Sequence, residues 1–588
     1  MPKDILLIGI NARYTHSNLA LLYFKKILSD YNYNIQIEEF SLKTELWDIL
    51  ATINRYEPDI IGLSVYIWNS EKIKKIIPEI KKINSTTKII LGGPEVCFTP
   101  EKWLSSFKDI DYIISENGEA GLSYLARNDF SIKNTYIDKP AIPLSSIPFP
   151  YDKSTIKKLA KKYLYYESSR GCPFNCSYCL SSRSSQKIQF RDLDKVKQEL
   201  EYLSQENIKI IKFVDRTFNI DQSRARNIWE FILALETKSK FHFEIHPGLL
   251  TDKDFEILNK APQNRFQFEV GIQSTNPKTI AAIDRRQEFE KILPNLKRLC
   301  GLRNIHIHLD MICGLPYQEI QSVKESFNQI ISLFPNHFQM GFLKILSGTQ
   351  LEQETEKFSI SYLNSPPYTV LSNQWLSFNE LSSLKKLENV LNLFYNSKKF
   401  FYTFKYILND NKKTPFDFFS KLNILISSVY DNKMNINRNW HHLASFLVEI
   451  KIQDNIAAQK EIFDYLRLDW CLRAPSNRYP DFLLPKNYKK IKKNLYAQLK
   501  ENIERQTING LIITQKDLKK AIYLITENQE VIKNLKHDFE ILKQPINLSF
   551  KNNKKKISTK TISKLKDKGI FAFIPKIRQQ IIIHLLYN

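Results

Sequence analysis

Apolar positions follow two rhythms along this chain, and the organisation they describe changes twice. Up to residue 125, short near-continuous apolar runs (DILLIGI, NIQIEEF, DIIGLSVYIW, KIILGGPE, DYIISENGE) alternate with longer stretches. In those stretches (NLALLYFKKILSD, KTELWDILATINRY, SEKIKKIIPEIKKI, PEKWLSSF) the apolar residues recur at helical spacing. Strands apolar on both faces and separated by helices predict a parallel sheet covered on each side. Ligands of such sheets sit beyond the carboxyl ends of the strands, which singles out the loops NARYTHSN, VYIWNS, GGPE and ENGE.

Residues 126–163 break the rhythm. DKPAIPLSSIPFPYD carries four prolines, too many for a regular helix, and reads as a linker. From 164 to 351 the alternation returns in longer units. Strands are expected at YLYYESS, IKIIKFVD, KFHFEIH, RFQFEVGIQ, NIHIHLDMICG and HFQMGFLKIL, with helices between them. Six such units predict an open, partial (β/α)6 barrel, whose chemistry belongs at the carboxyl ends of its strands. Asp215, Glu244, His246, Glu269, Gln273 and Asp310 fall there. From 352 to 588 helical periods rich in Tyr, Phe and Lys predict a mostly helical domain, with KNNKKKISTK (551–560) as a solvated arm. The fold class is therefore α/β, with an N-terminal Rossmann-like sheet, a central barrel and a helical C-terminal domain.

Charge adds one fact to this layout. After residue 370, 38 Lys and Arg stand against 19 Asp and Glu, so most of the formal +24 lies in the last third. A basic domain can hold nucleic acid or another anion. A chain rich in Lys, Asn and Ile throughout gives the same excess without a partner. No run nears the roughly 20 apolar residues of a spanning helix, and the start MPKDILLIGI has no basic n-region. Four of the seven cysteines (Cys97, Cys300, Cys313, Cys471) are scattered, so a cytoplasmic, reducing setting is expected.

The other three cysteines cluster. RGCPFNCSYC places Cys172, Cys176 and Cys179 in a C-x3-C-x2-C run directly after the first barrel strand. A closed structural zinc site wants four ligands. Three thiolates without a nearby fourth Cys or His leave a metal centre with one open position.

Strand, cysteine loop and partial barrel together resemble the radical S-adenosylmethionine (radical SAM) superfamily. The resemblance implies a [4Fe-4S] cluster held by Cys172, Cys176 and Cys179, with SAM on the fourth iron and cleaved reductively to a 5′-deoxyadenosyl radical. Soft thiolates are the ligands that select such clusters. FVDRTFN, FEVGIQS, AIDRR and DMICGLP are similar to the superfamily's later strand motifs. They imply SAM contacts from Tyr178, Asp215, Glu269, Gln273, Arg286 (chosen over Arg285) and Ile312. The N-terminal sheet resembles the cobalamin-binding domain that precedes many such cores, through Ser64 in GLSVYIWN and through Gly92 and Gly93 in LGGPEV. It departs from the family in the first loop. The D-x-H-x-x-G motif that supplies an axial histidine to cobalt is absent, and His16 lies nearby without the Asp and Gly. PPYTVLSNQWLSFNEL resembles the opening of an uncharacterised domain found after the core in one subgroup.

The expected protein is an enzyme with an iron–sulfur cluster, SAM and cobalamin, methylating carbon or carrying out another radical transformation. Flavodoxin or ferredoxin is the expected electron donor. One alternative is a tRNA-modifying methylthiotransferase-like enzyme. Those carry three further N-terminal cysteines, whereas this chain has only Cys97 before residue 126. A non-catalytic iron–sulfur or zinc interaction protein is the other.

Overall fold

The computed structural model describes residues 2–182, 188–206, 208–409, 414–427, 440–446, 456–473, 478–502, 506–508, 511–513, 520–538, 546–548, 569–576 and 579–587. The basic arm expected at 551–560 lies outside them. Two compact units form, residues 1–384 and 385–588.

The first unit opens with β1 (Lys3–Asn11), β2 (Tyr33–Ser41), β3 (Ile60–Ser64), β4 (Lys88–Gly92), β5 (Tyr112–Ile114) and β6 (Tyr136–Ile137). All pair in parallel, in the order β2-β1-β3-β4-β5-β6. Alternate residues of β1 feed two cores. Leu6, Ile8 and Ile10 pack with Ile49, Ile53, Ile73 and Ile77 on one side. Ile5 and Leu7 pack with Leu21, Leu28 and Leu125 on the other. Both faces are buried, hence the unbroken apolar runs. The strand order reverses between β1 and β3, the crevice where such sheets bind ligands.

β6 falls within the segment read as linker, and pairs Tyr136 and Ile137 with Ile113 and Ile114. Two paired residues are too few to show a period against four flanking prolines. The same segment holds a helix, Lys153–Leu159, whose first turn is capped by Asp152 accepting from Thr155 N–H.

The second sheet begins at β7 (Leu164–Tyr166). A short hairpin follows, β8 (Ser169–Arg170) with β9 (Gln189–Phe190). Then come β10 (Ile210–Phe213), β11 (Lys240–Glu244), β12 (Phe266–Gln273), β13 (His306–Cys313) and β14 (His337–Phe342). The six long strands are parallel and lie side by side in chain order, each predicted in place. β12 alternates: Phe266, Phe268, Val270 and Ile272 are buried, whereas Gln267, Glu269, Gly271 and Gln273 are half-buried on the other face. The apolar face meets the helices, as where Trp229 packs on Phe268. The polar face lines the concave side.

An open barrel exposes the edge of its first strand. Here the N-terminal loop covers it: Tyr163 N–H donates to Thr15 O (2.7 Å) and Ser17 Oγ to Tyr163 O (2.8 Å). After β14, residues 361–376 stay with this unit. Asn373 Nδ2 donates to Gly314 O (2.9 Å) at the end of β13, and the Tyr368 hydroxyl donates to the Glu95 carboxylate. The division between the two compact units falls at 384.

In the second unit most described residues are helical, including Phe401–Leu408, Pro415–Ser427, Ile456–Arg473 and Tyr488–Asn502. It also contains a four-stranded sheet of Ile522–Thr526, Gly569–Lys576, Gln579–Tyr587 and Ile546–Leu548, in that spatial order. The helical reading missed it, because an unbroken run such as QQIIIHLLY has no period that separates a buried strand from a buried helix.

Candidate functional site

The three clustered cysteines sit on the loop after β8. Gly171 takes φ +102°, a left-handed conformation that a side chain disfavours, to turn the chain into Cys172. Both carboxylate oxygens of buried Asp215 hold the approach to this turn. One accepts from the Ser168 backbone N–H (3.0 Å), the other from the Ser168 and Ser169 hydroxyls (2.6 Å each). Asp215 was expected beside SAM; its oxygens accept these three bonds from the residues that lead into the cysteine loop. Burial raises its pKa to about 6, opposed by the two serines. Cys172 lies 3.8 Å from Thr217 Oγ1, and Ser177 N–H donates to Ile283 O (3.0 Å).

Arg285 is the charge at this loop. Its Nη2 donates to Gly271 O (2.5 Å) on β12, and its Nη1 stands 3.6 Å from Cys176 Sγ and 3.4 Å from Tyr178 Oη. Burial pushes the Cys176 thiol up, Arg285 pulls it down, and the Cys179 and Cys172 thiols push it up again. Arg286, the arginine chosen from the sequence, is exposed. The chain turns through Asp284 at φ +49°, and it is Arg285 that points inward. A doublet of arginines gives no sign of which one the turn buries.

Gln273, at the end of β12, adopts φ +69°, and its Oε1 is buried with no hydrogen-bond partner among the described residues. His246, after β11, stacks on Phe174 of the cysteine loop with ring centroids 5.0 Å apart. Ile312 is half-buried on the concave face of β13. Arg285, Tyr178, His246 and Gln273 thus gather at one end of the barrel beside the cysteines.

Glu269 lies two inward-facing positions before Gln273 on β12, deeper in the barrel. Its Oε2 pairs with His242 Nε2 (3.1 Å), and the Asp310 and His308 side chains meet at 2.8 Å on the adjacent strand. Against its own burial, Glu269 is pulled below the usual carboxylate range by His242 and His308. Burial raises Asp310, and burial raises Glu244 to about 7. The concave side of β11, β12 and β13 therefore carries a cluster of mixed charge. Sequence reading placed Glu269, Glu244 and Asp310 at the carboxyl ends of the strands, but His242 and His308 went unremarked. Their inward alternation with Phe241, Phe243, Ile307 and Leu309 was the available signal.

The N-terminal sheet holds a cavity of about 390 Å³ along one face of β1, β3 and β4, reaching the carboxyl ends of β3 and β4. Leu7, Gly62, Ile90 and Phe24 wall it, and Ser64, Asn117, Glu119 and Arg170 stand at its polar side. Ser64 Oγ accepts from Asn18 Nδ2 (2.8 Å). The two glycines have different roles. A Cβ on Gly92 would meet nothing within 4 Å, whereas one on Gly93 would approach Val65 O to 2.5 Å at φ +111°. Gly92 leaves the cavity open, and Gly93 lets the backbone turn. His16 is not in the cavity lining. Its Nδ1 contacts Tyr165 Oη (2.5 Å) and its ring packs edge-on against Tyr163. Burial lowers its pKa, as do Lys212 and Arg13. The structure thus binds His16 into the seam with the barrel.

Three family models match successive stretches: the B12 binding domain at residues 5–126, the Radical SAM superfamily at 166–330, and a protein of unknown function, DUF4080, at 356–562. The 2-(S-pantetheinyl)-carbapenam-3-carboxylate methyltransferase of Streptantibioticus cattleyicolor is 20% identical, over 47% of this chain and 45% of its own length. The cobalamin-dependent radical SAM methyltransferase TokK of Streptomyces tokunonensis is 22% identical, over 47% and 45%. The chain thus spans less than half the length of these two curated relatives. Among solved structures, the cobalamin-dependent S-adenosylmethionine radical enzyme OxsB, with aqua-cobalamin and S-adenosylmethionine bound, superposes with a TM-score of 0.55 at 15% identity. That match covers 91% of this chain and 84% of the other, and it shows a shared fold.

Proposed function

We propose that this radical SAM protein with an N-terminal B12-binding domain is a cobalamin-dependent methyltransferase-type enzyme. The observation that carries the reading is the setting of the three cysteines. They share one loop at the mouth of a parallel half-barrel, beside an inward arginine and two buried polar atoms without partners among the described residues, Gln273 Oε1 and His246 Nε2.

The residues fit an iron–sulfur cluster and SAM. Cys172, Cys176 and Cys179 offer the soft donors that hold such a cluster, and a fourth iron without a protein ligand leaves room for SAM. Arg285, in place of Arg286, is the cation for SAM's carboxylate, and Gln273 and Tyr178 face the same space. When bound, the cluster supplies the electron for reductive SAM cleavage. Arg285 holds the loop end and the anion together. Asp215 fixes the turn through the two serines. The apolar outer face of β12 and β13 keeps water from the helices' side of the barrel.

The N-terminal cavity fits the nucleotide tail of cobalamin. Its walls are apolar and close-set, as a flat heteroaromatic ring requires, and Gly92 contributes no side chain to fill it. Cobalamin supplies a transferable methyl group. No histidine among the described residues lines the cavity: His16 lies outside it, with Nδ1 on Tyr165 Oη and its ring edge-on to Tyr163. The substrate enters between the cluster end and the mixed-charge floor of Glu244, Glu269 and Asp310. A flavodoxin- or ferredoxin-type donor is the proposed reductant. Among the described residues no helix is long and apolar enough to cross a membrane.

The test is anaerobic reconstitution with iron, sulfide and hydroxocobalamin, followed by reduction in the presence of SAM. About four irons per chain, a bound corrin spectrum and release of 5′-deoxyadenosine or S-adenosylhomocysteine are expected. A reconstituted protein that binds neither SAM nor corrin would overturn the reading.

A further inference from the structure

His246 is fixed more tightly than its place in a loop would require. One side chain pins its backbone on both sides: Asn219 Oδ1 accepts from His246 N–H (2.9 Å), and Asn219 Nδ2 donates to His246 O (2.9 Å). The ring lies on Phe174 with centroids 5.0 Å apart and planes 26° from parallel. Nδ1 accepts from Gly248 N–H (3.2 Å). An accepting Nδ1 carries no proton, so the neutral ring bears its hydrogen on Nε2.

That Nε2–H is buried and has no hydrogen-bond partner among the described residues. Leaving a buried donor unsatisfied is costly, and a ring free to turn could present Nε2 to another group. This ring is stacked, capped and tied by its backbone, so it keeps the orientation. Burial and the nearby Arg285 charge hold its pKa down to about 4. It is therefore a neutral donor near pH 7, poorly matched to moving protons. The surroundings narrow the acceptor. Arg285 is a second donor, and Cys176 and Tyr178 lie within 3.6 Å of its guanidinium. The Arg285 charge acts on the His246 ring, and a neutral donor in the field of a cation suits an anion; SAM has one anionic group, the carboxylate of its methionine portion.

We propose that His246 is a SAM-binding residue whose Nε2–H donates to the methionine carboxylate of SAM alongside Arg285. The assignment rests on the radical SAM reading given above. Phe174 carries the contact back to the cysteine loop, so the loop that holds the metal also braces the donor that holds SAM. A histidine two residues past the end of a barrel strand shows nothing of this in sequence, because the tautomer is set by Gly248 and the stacking by a loop more than seventy residues earlier.

Two substitutions in the full-length, anaerobically reconstituted chain separate binding from support. His246→Asn keeps an oxygen near the position of Nδ1 for Gly248 N–H and removes the distal donor. His246→Gln places an amide N–H near the position of Nε2. Equilibrium dialysis with labelled SAM, and the change SAM causes in the spectrum of the reduced cluster, give two readouts apart from turnover. The Asn variant is expected to bind SAM about tenfold or more weakly, the usual loss for a hydrogen bond to a charged group. Iron content should be unchanged, and 5′-deoxyadenosine release at saturating SAM should fall far less. The Gln variant should recover most of the affinity. Equal SAM affinity in wild type and both variants would overturn the assignment. So would a Gln variant no better than Asn, since that marks a purely structural role. A wild-type protein with a full cluster and no SAM binding would instead bring down the radical SAM reading itself.

Discussion

Arg170 and Glu119 join the two halves of the first unit. Arg170, two residues before Cys172, donates through Nη2 to Glu119 Oε1 (2.8 Å), at the start of the helix Gly118–Arg127 in the N-terminal sheet domain. The same guanidinium holds Glu167 through two further bonds of 2.8 Å. Both residues line the N-terminal cavity, so one ion pair ties the proposed corrin site to the loop that carries the cysteines.

Removing the negative charge from this pair should loosen the seam. Glu119 is buried, and Arg170 keeps Glu167, so Glu119→Gln is expected to cost about 1–3 kcal/mol. Thermal unfolding reports the loss, and faster amide exchange across residues 168–182 should accompany it. An unchanged midpoint would mean that the pair contributes no net stability.

Iron binding should depend on three cysteines only. Cys172→Ala, Cys176→Ala and Cys179→Ala are each expected to lose the cluster on anaerobic purification, because two thiolates leave a second iron without a protein ligand. Alanine at Cys97, Cys300, Cys313 or Cys471 should leave iron and sulfide content near that of the parent. Iron loss from any of those four would reassign the ligands.

The two arginines should separate cleanly. Arg285→Ala is expected to lower SAM affinity by about tenfold or more, the scale of a charge-assisted hydrogen bond, whereas exposed Arg286→Ala should behave as wild type. SAM titration of the reconstituted enzyme decides between them, and equal effects would remove Arg285 from the site.

The glycines predict opposite phenotypes. Gly92→Phe puts a ring into open space in the cavity and should block hydroxocobalamin binding with little change in thermal stability. Gly93→Ala should destabilise the fold, by about 1–3 kcal/mol for the left-handed backbone alone, with the approach to Val65 O added. Absorbance titration with corrin and thermal melts test both. Normal corrin binding by Gly92→Phe would place the corrin tail elsewhere.

Asp215 should leave a trace in the pH dependence of stability. Its folded pKa, raised by burial to about 6, exceeds the ordinary carboxylate value, so the folded state binds the proton more readily than the unfolded one. The protonated group's advantage is full below pH 4 and is lost as pH rises through 6. Relative to Asp215→Asn, wild type should therefore lose up to about 3 kcal/mol between pH 4 and pH 7. Denaturant midpoints for the two proteins across that range check the sign. A difference that grows with pH would show that the serines and Ser168 N–H depress this carboxylate.

Sequence and structure divided the work along physical lines. Periodicity is a local property, so the five long N-terminal runs and the six barrel strands were legible from apolar spacing. The cysteine triplet was legible for a similar reason: a loop contributing three ligands writes its spacing into the chain. The two-residue β6 and the strands of the last twenty residues were not, since neither has a period long or distinct enough to exclude the alternatives.

What the tertiary structure alone decided is where each polar side chain points and what already occupies it. Asp215 has the right type and place for a SAM contact, yet residues 168 and 169, about 45 positions earlier, take both its oxygens. Arg285 and Arg286 are equivalent as letters, and one backbone turn selects between them. His16 is the one histidine near the expected corrin loop, and Tyr163 and Tyr165 draw it into the barrel seam. Sequence by itself determined the long strands, their order and the loop of three cysteines, because those follow from neighbours along the chain. The roles of the site residues depend on partners brought together from distant strands, and hydrogen-bond saturation and burial exist only once the chain has folded.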